Sequence, residues 1–198
     1  TLENAIKPFP LCRYNHQTLD LVIDYQKENS IDTSKISSIT IDMPKYGVQL
    51  CGSPIEQKRN PQSPVDAQFS GCFAVALALT EQRADMTTFT GALDRGLSDE
   101  FKRLMSITNI QQADDLDAIH PEFWPGRVKM TIDGDEVELY GKHMRGERER
   151  PMTIEEVQDK FRDLSPKHDE AHRKEVFDVI NNLENASIDD LLTPLRKK

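Results

Sequence analysis

The sequence predicts an α+β fold: a mostly antiparallel sheet packed against helices, with a helical tail at its C-terminal end. Three observations carry that expectation. Ile36 to Met43 alternates Ile39, Ile41 and Met43 against Ser38, Thr40 and Asp42, the two-residue period of a strand with one buried face. Arg127 to Tyr140 places Val128, Met130 and Ile132 before an Asp133-Gly134 turn and Val137 and Leu139 after it, the signature of a hairpin. This hairpin is expected to pair with the first strand. Ser63 and Pro64 supply an N-cap and a first-turn proline, after which Val65, Phe69, Cys72, Phe73, Ala76 and Leu79 make the wide apolar face of a central core helix.

The other elements follow in chain order. From His16, the positions Leu19, Val22 and Ile23 recur at helical spacing, and this helix should end near Asn29. Tyr46 to Gln62 has glycines and prolines without sustained periodicity and reads as a long loop. Its Lys58 and Arg59 read as a solvated basic turn or as groups facing an anionic ligand. Met86 to Leu97 reads as a loop or short helical turn, Ser98 to Met105 as a capped helix, Ile107 to Ile110 as a short strand, and Gln111 to Gly126 as a surface loop holding Trp124. Lys142 to Arg150 alternates in sign, which argues for a solvated or ion-paired loop over an anion site. Thr153 to Glu156 is a capping box opening a helix that Ser165-Pro166 ends. Beyond it, Lys167 to Glu184 is polar with an apolar stripe of Val176, Phe177, Val179, Ile180 and Leu183, and Ser187 caps a last short helix. The expected division is therefore an α+β domain over residues 1–165 and an appendage over 166–198 whose stripe needs a partner.

Composition excludes several functions. A net charge of −9 with 30% charged residues lacks the concentrated basic face of a nucleic-acid binder. No apolar run approaches the roughly 20 residues that span a bilayer, and the first residues lack the pattern of a signal peptide, so the cytoplasm is the expected location. Cys12, Cys51 and Cys72 are widely spaced and read as reduced thiols. The chain opens at Thr1 without a methionine and reaches its most chemically dense segment within a few residues, which reads as a piece of a longer protein.

That segment is Lys7 to His16, where a lysine, a cysteine, a tyrosine and a histidine crowd around two prolines. Each X-Pro step extends its predecessor, so Lys7 and Phe9 should lie on a stiff ribbon that becomes helix only after Pro10. A ribbon running into a helix N-terminus can cradle a carboxylate or phosphate; the alternative is a buried loop with a snorkelling lysine. Cys12 and Tyr14 are the candidate binding groups beside Lys7 and His16. Ser70, among small residues of the core helix, could point into a cleft or bond its own backbone. None of the standard phosphate, dinucleotide, hydrolase-elbow or metal motifs is present.

Lys7-Pro8-Phe9-Pro10 with Cys12 and His16 resembles the MmgE/PrpD family, which includes 2-methylcitrate dehydratase, cis-aconitate decarboxylase and iminodisuccinate epimerase. Asp66 to Ser70 leading into Ala74 to Leu79, Gly126-Arg127-Val128, Arg145-Gly146, and Pro151-Met152-Thr153 ahead of Lys160-Phe161 are similar to later family segments, in the family's order. The resemblance implies the α+β lid domain and returning C-terminal helices of a longer enzyme, with an all-helical domain and its catalytic residues outside this chain. Lys7 then matches the lid lysine that reaches a substrate carboxylate, and His16 a histidine that would act as acid or base. Cys12 stands where decarboxylase-like members have histidine, which favours a dehydratase of propionate metabolism over a decarboxylase. The implied partners are a small polycarboxylate, the helical domain and a second copy of the chain in a homodimer. Abstracting a proton next to a carboxylate and expelling hydroxide calls for a base and cationic clamps, so no cofactor or metal is expected. An epimerase, or a module that keeps the fold without the chemistry, is the alternative.

Overall fold

The computed structural model describes residues 4–196 and divides them into two compact units, which meet between Thr153 and Ile154. Helix Ile154–Leu164, read from sequence with the α+β domain, therefore groups with the C-terminal helices. The first unit is a four-stranded sheet with helices packed on one face. Its strands are β1 (Ile36–Met43), β2 (Thr108–Gln112), β3 (Gly126–Ile132) and β4 (Asp135–Gly141), in the spatial order β2-β1-β3-β4.

The expected pairing of hairpin and first strand is present: β3 runs antiparallel to β1 with Ile39 opposite Met130 and Ile41 opposite Val128. The hairpin closes through Asp133 and Gly134, both at positive φ (54° and 91°), the turn geometry that follows the right-handed twist of paired strands. The edge strand β2 pairs parallel to β1, making the sheet mixed. A parallel neighbour needs a crossover, and the helical segment between Pro44 and Ile107 supplies it. One face of the sheet presents Ile39, Ile41, Met43, Val128 and Met130, all buried. The other carries a charged ladder in which the buried Asp42 accepts from Arg127 (3.1 Å), Gln111 (2.9 Å) and Lys129 (3.0 Å).

Against the apolar face lie α1 (His16–Glu28) and the core helix α3 (Gly71–Glu81), and α2 (Pro64–Gln68), α4 (Met86–Asp94) and α5 (Asp99–Ser106) pack on α3. Helix α1 buries Leu19, Val22 and Ile23 and stops at Asn29, as its sequence predicts. The core helix does not. Ser63 caps α2 through the Asp66 N–H (3.1 Å), but Ser70 then caps a second helix by accepting the Phe73 N–H (2.9 Å), and the chain turns between them. Val65 and Phe69, expected in the core, are 60% and 38% exposed, whereas every residue from Gly71 to Leu79 is buried, as a helix apolar all round must be. Gly71 fits this bend because a Cβ there would come within 2.7 Å of Ile110.

Tyr46 to Gln62, read as a loop, is largely helical, and Met86 to Leu97, read as a loop or short helical turn, holds a helix of nine residues. Pro44 to Gly52 forms a helical turn (Lys45–Gly47) and a π-helical turn (Val48–Gly52), followed by a short helix at Ile55–Lys58. These turns are too short to show periodicity in sequence. The solvated reading of their basic pair is replaced: Arg59 donates twice to the Thr108 carbonyl (3.1 and 2.9 Å) and Lys58 Nζ to the Leu50 carbonyl (2.7 Å). Helix α4 forms because Asp85 accepts the Thr88 N–H (2.8 Å) and Phe89 packs 5.6 Å from Phe73. The segment Gln111 to Gly126 also contains a helical turn, Asp114–Asp117, anchored by buried Leu116.

The second unit comprises α6 (Ile154–Leu164), α7 (Glu170–Asn181) and α8 (Ile188–Arg196). Phe161 and Phe177 meet edge to face at 5.0 Å, and Val176 is buried. Ile180, Leu183, Ile188 and Leu195 are exposed. No helix among the described residues is long and apolar enough to cross a membrane.

The split core helix makes a direct prediction for urea unfolding. Phe73→Ala should cost about 4 kcal/mol, as for a fully buried aromatic. Val65→Ala, at an exposed position that the sequence pattern placed in the core, should change stability by less than about 0.5 kcal/mol.

Candidate active-site face

The ribbon from Lys7 to Cys12 is held on both sides. Phe9 and Leu11 are buried beneath it. The Cys12 N–H donates to the Gln68 carbonyl (2.9 Å), the Gln68 side-chain amide donates to the Pro10 carbonyl (3.0 Å), and Asn15 Nδ2 reaches the carbonyls of Gln68 (3.3 Å) and Ser70 (3.4 Å). From the other side the Ile6 N–H donates to the Gly146 carbonyl (2.9 Å). Gly146 sits at φ +90°, and a Cβ there would lie 1.9 Å from the Ile6 carbonyl oxygen, so both backbone conformation and space demand glycine.

The loop carrying Gly146 is fixed by a buried charge. Asp20 on α1 has no solvent exposure and accepts the Arg145 backbone N–H (2.7 Å) and its guanidinium (3.1 and 2.9 Å), with Arg150 at 3.6 Å. Burial raises the Asp20 carboxyl above its ordinary pKa, against the pull of Arg145 and Arg150. The sign-alternating stretch Lys142 to Arg150 is thus ion-paired, one of the two states its sequence allowed.

The structure distributes the sequence-selected residues unevenly. Lys7 is exposed on the ribbon. Cys12 and Tyr14 are half-buried beside it. His16 is 1% exposed: its Nε2 bonds the Leu11 carbonyl (3.1 Å) and its ring meets the edge of Phe9 at 5.4 Å, which places it under the ribbon. Ser70 is also buried; besides capping α3, its hydroxyl donates to the Lys58 carbonyl (2.5 Å). Lys7, Cys12 and Tyr14 therefore share a face that His16 and Ser70 support from inside.

Residues distant in sequence complete that face. The Tyr14 hydroxyl and His120 Nε2 share a hydrogen bond (3.2 Å), and Trp124 lies 4.8 Å from the Tyr14 ring with the Arg13 guanidinium 4.3 Å from the tryptophan centroid. Burial raises the Tyr14 hydroxyl pKa, with the negative Cys12 sulfur adding to the shift, so Tyr14 stays protonated at neutral pH. Cys12 moves the other way, to about 6: the Cys51 side chain beside it is the main cause, and although burial opposes ionisation, the Tyr14 backbone N–H and the charges of Lys7 and Lys58 favour it. Cys51 is raised by the Cys12 side chain and by burial. The face thus brings together Lys7 and Lys58, a thiol lowered from its ordinary pKa and a phenol raised from its own. Sequence reading missed Cys51, His120 and Trp124 as members and gave Lys58 only as a solvated turn or an anion-facing group, since the Tyr46–Gln62 and Gln111–Gly126 segments that carry them are joined to the ribbon by no local spacing. The one available signal was two cysteines in segments both rich in proline or glycine.

A cation could be considered at His143, Glu147 and Glu149, the one such group among the described residues, with ligand atoms within 4.8 Å of one another. Glu147 is already engaged by Arg13 (2.6 Å) and by the Met144 N–H (3.2 Å).

The model of the MmgE/PrpD C-terminal domain matches residues 9–185. The chain belongs to the MmgE/PrpD family. This is a family of enzymes, comprising dehydratases, decarboxylases and epimerases. The match covers the sheet, the helices on it and most of the second unit, and takes in every segment that carried the resemblance from Phe9 onward, while Lys7 and Pro8 lie just before it. A comparison with curated proteins found no match.

Two outcomes test this geometry. Alkylation of Cys12 by iodoacetamide should rise as pH passes about 6 and be flat above about 7, because the folded-state thiol is lowered and stays ionised above its pKa; a rate still climbing between pH 8 and 9 contradicts the thiolate. Asp20→Ala should destabilise the chain by about 3 kcal/mol, since Arg145 would lose its buried counter-charge.

Proposed function

We propose that this chain forms one wall of an active-site cleft in a dehydratase-type lyase acting on a small polycarboxylate such as 2-methylcitrate. The observation that supports this reading most is the placement of Lys7: an exposed ammonium on a ribbon clasped by Gln68 and Gly146, beside a second cation at Lys58, in a chain of an enzyme family. A lysine held in this way is a clamp for a substrate carboxylate, drawing electron density from the carbon that loses its proton and stabilising the charge that develops there. Tyr14, kept protonated, is placed to donate to a departing hydroxide or to a second carboxylate. His16 serves by holding the ribbon through the Leu11 carbonyl, and Ser70 by holding the start of α3; their burial suits support over contact with substrate.

The other wall, in this reading, is an all-helical domain of the same polypeptide, and the exposed Ile180, Leu183, Ile188 and Leu195 are the surface it covers. Cys12 favours dehydration over decarboxylation and leaves an epimerase as the second reading: a thiolate beside a lysine clamp can take and return a proton at a carbon next to a carboxylate.

The test is turnover of 2-methylcitrate, citrate and cis-aconitate by the gene product that carries this chain, followed by the ultraviolet absorbance of the conjugated double bond. Lys7→Ala should lower kcat/KM by roughly 100-fold, the scale of losing one charge-stabilising donor. A wild-type rate that Lys7→Ala leaves intact contradicts the clamp, and racemisation without any absorbance change selects the epimerase.

A further inference from the structure

The reading of Tyr14 as a proton donor leaves open what holds its phenol and what takes up the charge when the proton goes. Segments far apart in sequence converge on that ring. Its hydroxyl and the Nε2 of the half-buried His120 lie 3.2 Å apart. Trp124 packs on it with centroids 4.8 Å apart and meets the His120 ring edge to face at 5.1 Å, so the three rings close on one another. Backbone supplies a further side: a Cβ on Gly47 would lie 2.9 Å from Tyr14 Cδ1 and 3.1 Å from Met43 Cβ, so the approach requires glycine. The turn Lys45–Gly47 and the segment carrying His120 are tied together by Asp117. Its carboxylate accepts the Lys45 N–H (2.7 Å) and the Gln112 side-chain amide (2.5 Å), and its carbonyl accepts the His120 backbone N–H (3.3 Å). Trp124 is fixed in turn by the Arg13 guanidinium over its ring, which Glu147 pairs at 2.6 Å.

A phenol has one proton to give and two lone pairs with which to accept. A Tyr14 that gave its proton to His120 Nε2 would close the pair on itself and have nothing to donate to a ligand on the face it shares with Lys7 and Cys12. We propose that the bond runs the other way: His120 is a positioning residue that donates its Nε2–H to the Tyr14 oxygen and leaves the phenolic proton for the substrate.

The consequence for turnover rests on the dehydratase reading; the direction of the hydrogen bond does not. In the step itself the Tyr14 O–H bond breaks, its proton joins the departing hydroxide to make water, and the electron pair stays on the Tyr14 oxygen as a phenolate that accepts the His120 Nε2–H. A proton from solvent afterwards restores the phenol. Phenols ionise at about 10 and water at about 15.7, so the transfer to hydroxide runs downhill. The hydrogen bond from His120 becomes charge-assisted as the phenolate forms, and it therefore stabilises the state after proton transfer more than the state before it.

The imidazole tautomer decides the proposal on the 198-residue chain itself. The chain is prepared with nitrogen-15 histidine, and long-range proton–nitrogen correlations are recorded through a pH titration, with His120→Gln assigning the signals. Once its ring is neutral, His120 should carry its proton on Nε2 with Nδ1 bare, and Tyr14→Phe should shift the Nε2 resonance more than any other histidine nitrogen. A neutral His120 protonated at Nδ1 overturns the proposal, because Nε2 then accepts the phenolic proton. Kinetics of the gene product that carries this chain add a second arm. His120→Ala should lower kcat by about 100-fold with KM little changed, the scale of losing one donor to a developing oxyanion. His120→Gln, whose side-chain amide can donate in place of Nε2–H, should recover most of that loss; equal losses in the two variants overturn the proposal. A bare Nε2 leaves the Lys7 clamp untouched, and a gene product inactive on every acid tested counts against the dehydratase reading while the spectrum still decides the direction of the bond.

Discussion

The structure depends on one buried charge. Asp20, on the inner face of α1, reaches across the chain to Arg145, and the loop it secures is the one whose Gly146 carbonyl accepts from the ribbon at Ile6. A carboxylate without solvent exposure is costly unless its lone pairs are filled, and here a backbone N–H and two guanidinium nitrogens fill them. The Arg145 guanidinium also lies 5.3 Å from the centroid of the Phe9 ring, so the same residue touches the ribbon's buried anchor. Loss of that pair would free the loop, the Gly146 contact and one edge of the Lys7 segment together. The opposite edge is independent, being held by Gln68, whose main chain and side chain both bond the ribbon.

That clasp explains why the Lys-Pro-Phe-Pro segment and the short stretch around Gln68 to Gly71 belong to one functional unit. The prolines stiffen the ribbon and remove N–H groups that would need partners, while the Cys12 N–H is given to the Gln68 carbonyl. The break between α2 and α3 is what exposes the Gln68 carbonyl for this purpose. A continuous helix would have spent that carbonyl on its own ladder. The cost of the break is recovered by the Ser70 cap and by close approach of Gly71 to β2.

Much of the fold was legible because it rests on local periodicity. The alternation in Ile36 to Met43, the Asp133-Gly134 turn and the spacing of Leu19, Val22 and Ile23 each specify an element without reference to the rest of the chain. What failed was decided by competition. Val65 and Phe69 read as core because Ser63 to Leu79 is one apolar run, and only the tertiary clasp shows that Ser70 restarts the helix. The parallel pairing of β2 depends on where the crossover returns, and the helical turns from Lys45 to Lys58 are shorter than any period. The site was half legible. Lys7, Cys12 and Tyr14 adjoin one another in sequence and in space, whereas Cys51, Lys58 and His120 arrive from loops whose meeting no spacing encodes. Charge patterning read Lys142 to Arg150 as solvated or ion-paired but could neither choose between the two nor name Asp20 as a partner.

The central claim is that Lys7 presents its ammonium to a substrate carboxylate at a cleft. The most direct measurement is a crystal structure of the gene product carrying this chain, soaked with tricarballylate, an unreactive tricarboxylate. The account predicts a carboxylate within hydrogen-bond distance, about 3 Å, of Lys7 Nζ, with Tyr14 and Cys12 on the same side of the bound acid. A tricarballylate bound in a cleft that Lys7 does not line would contradict it.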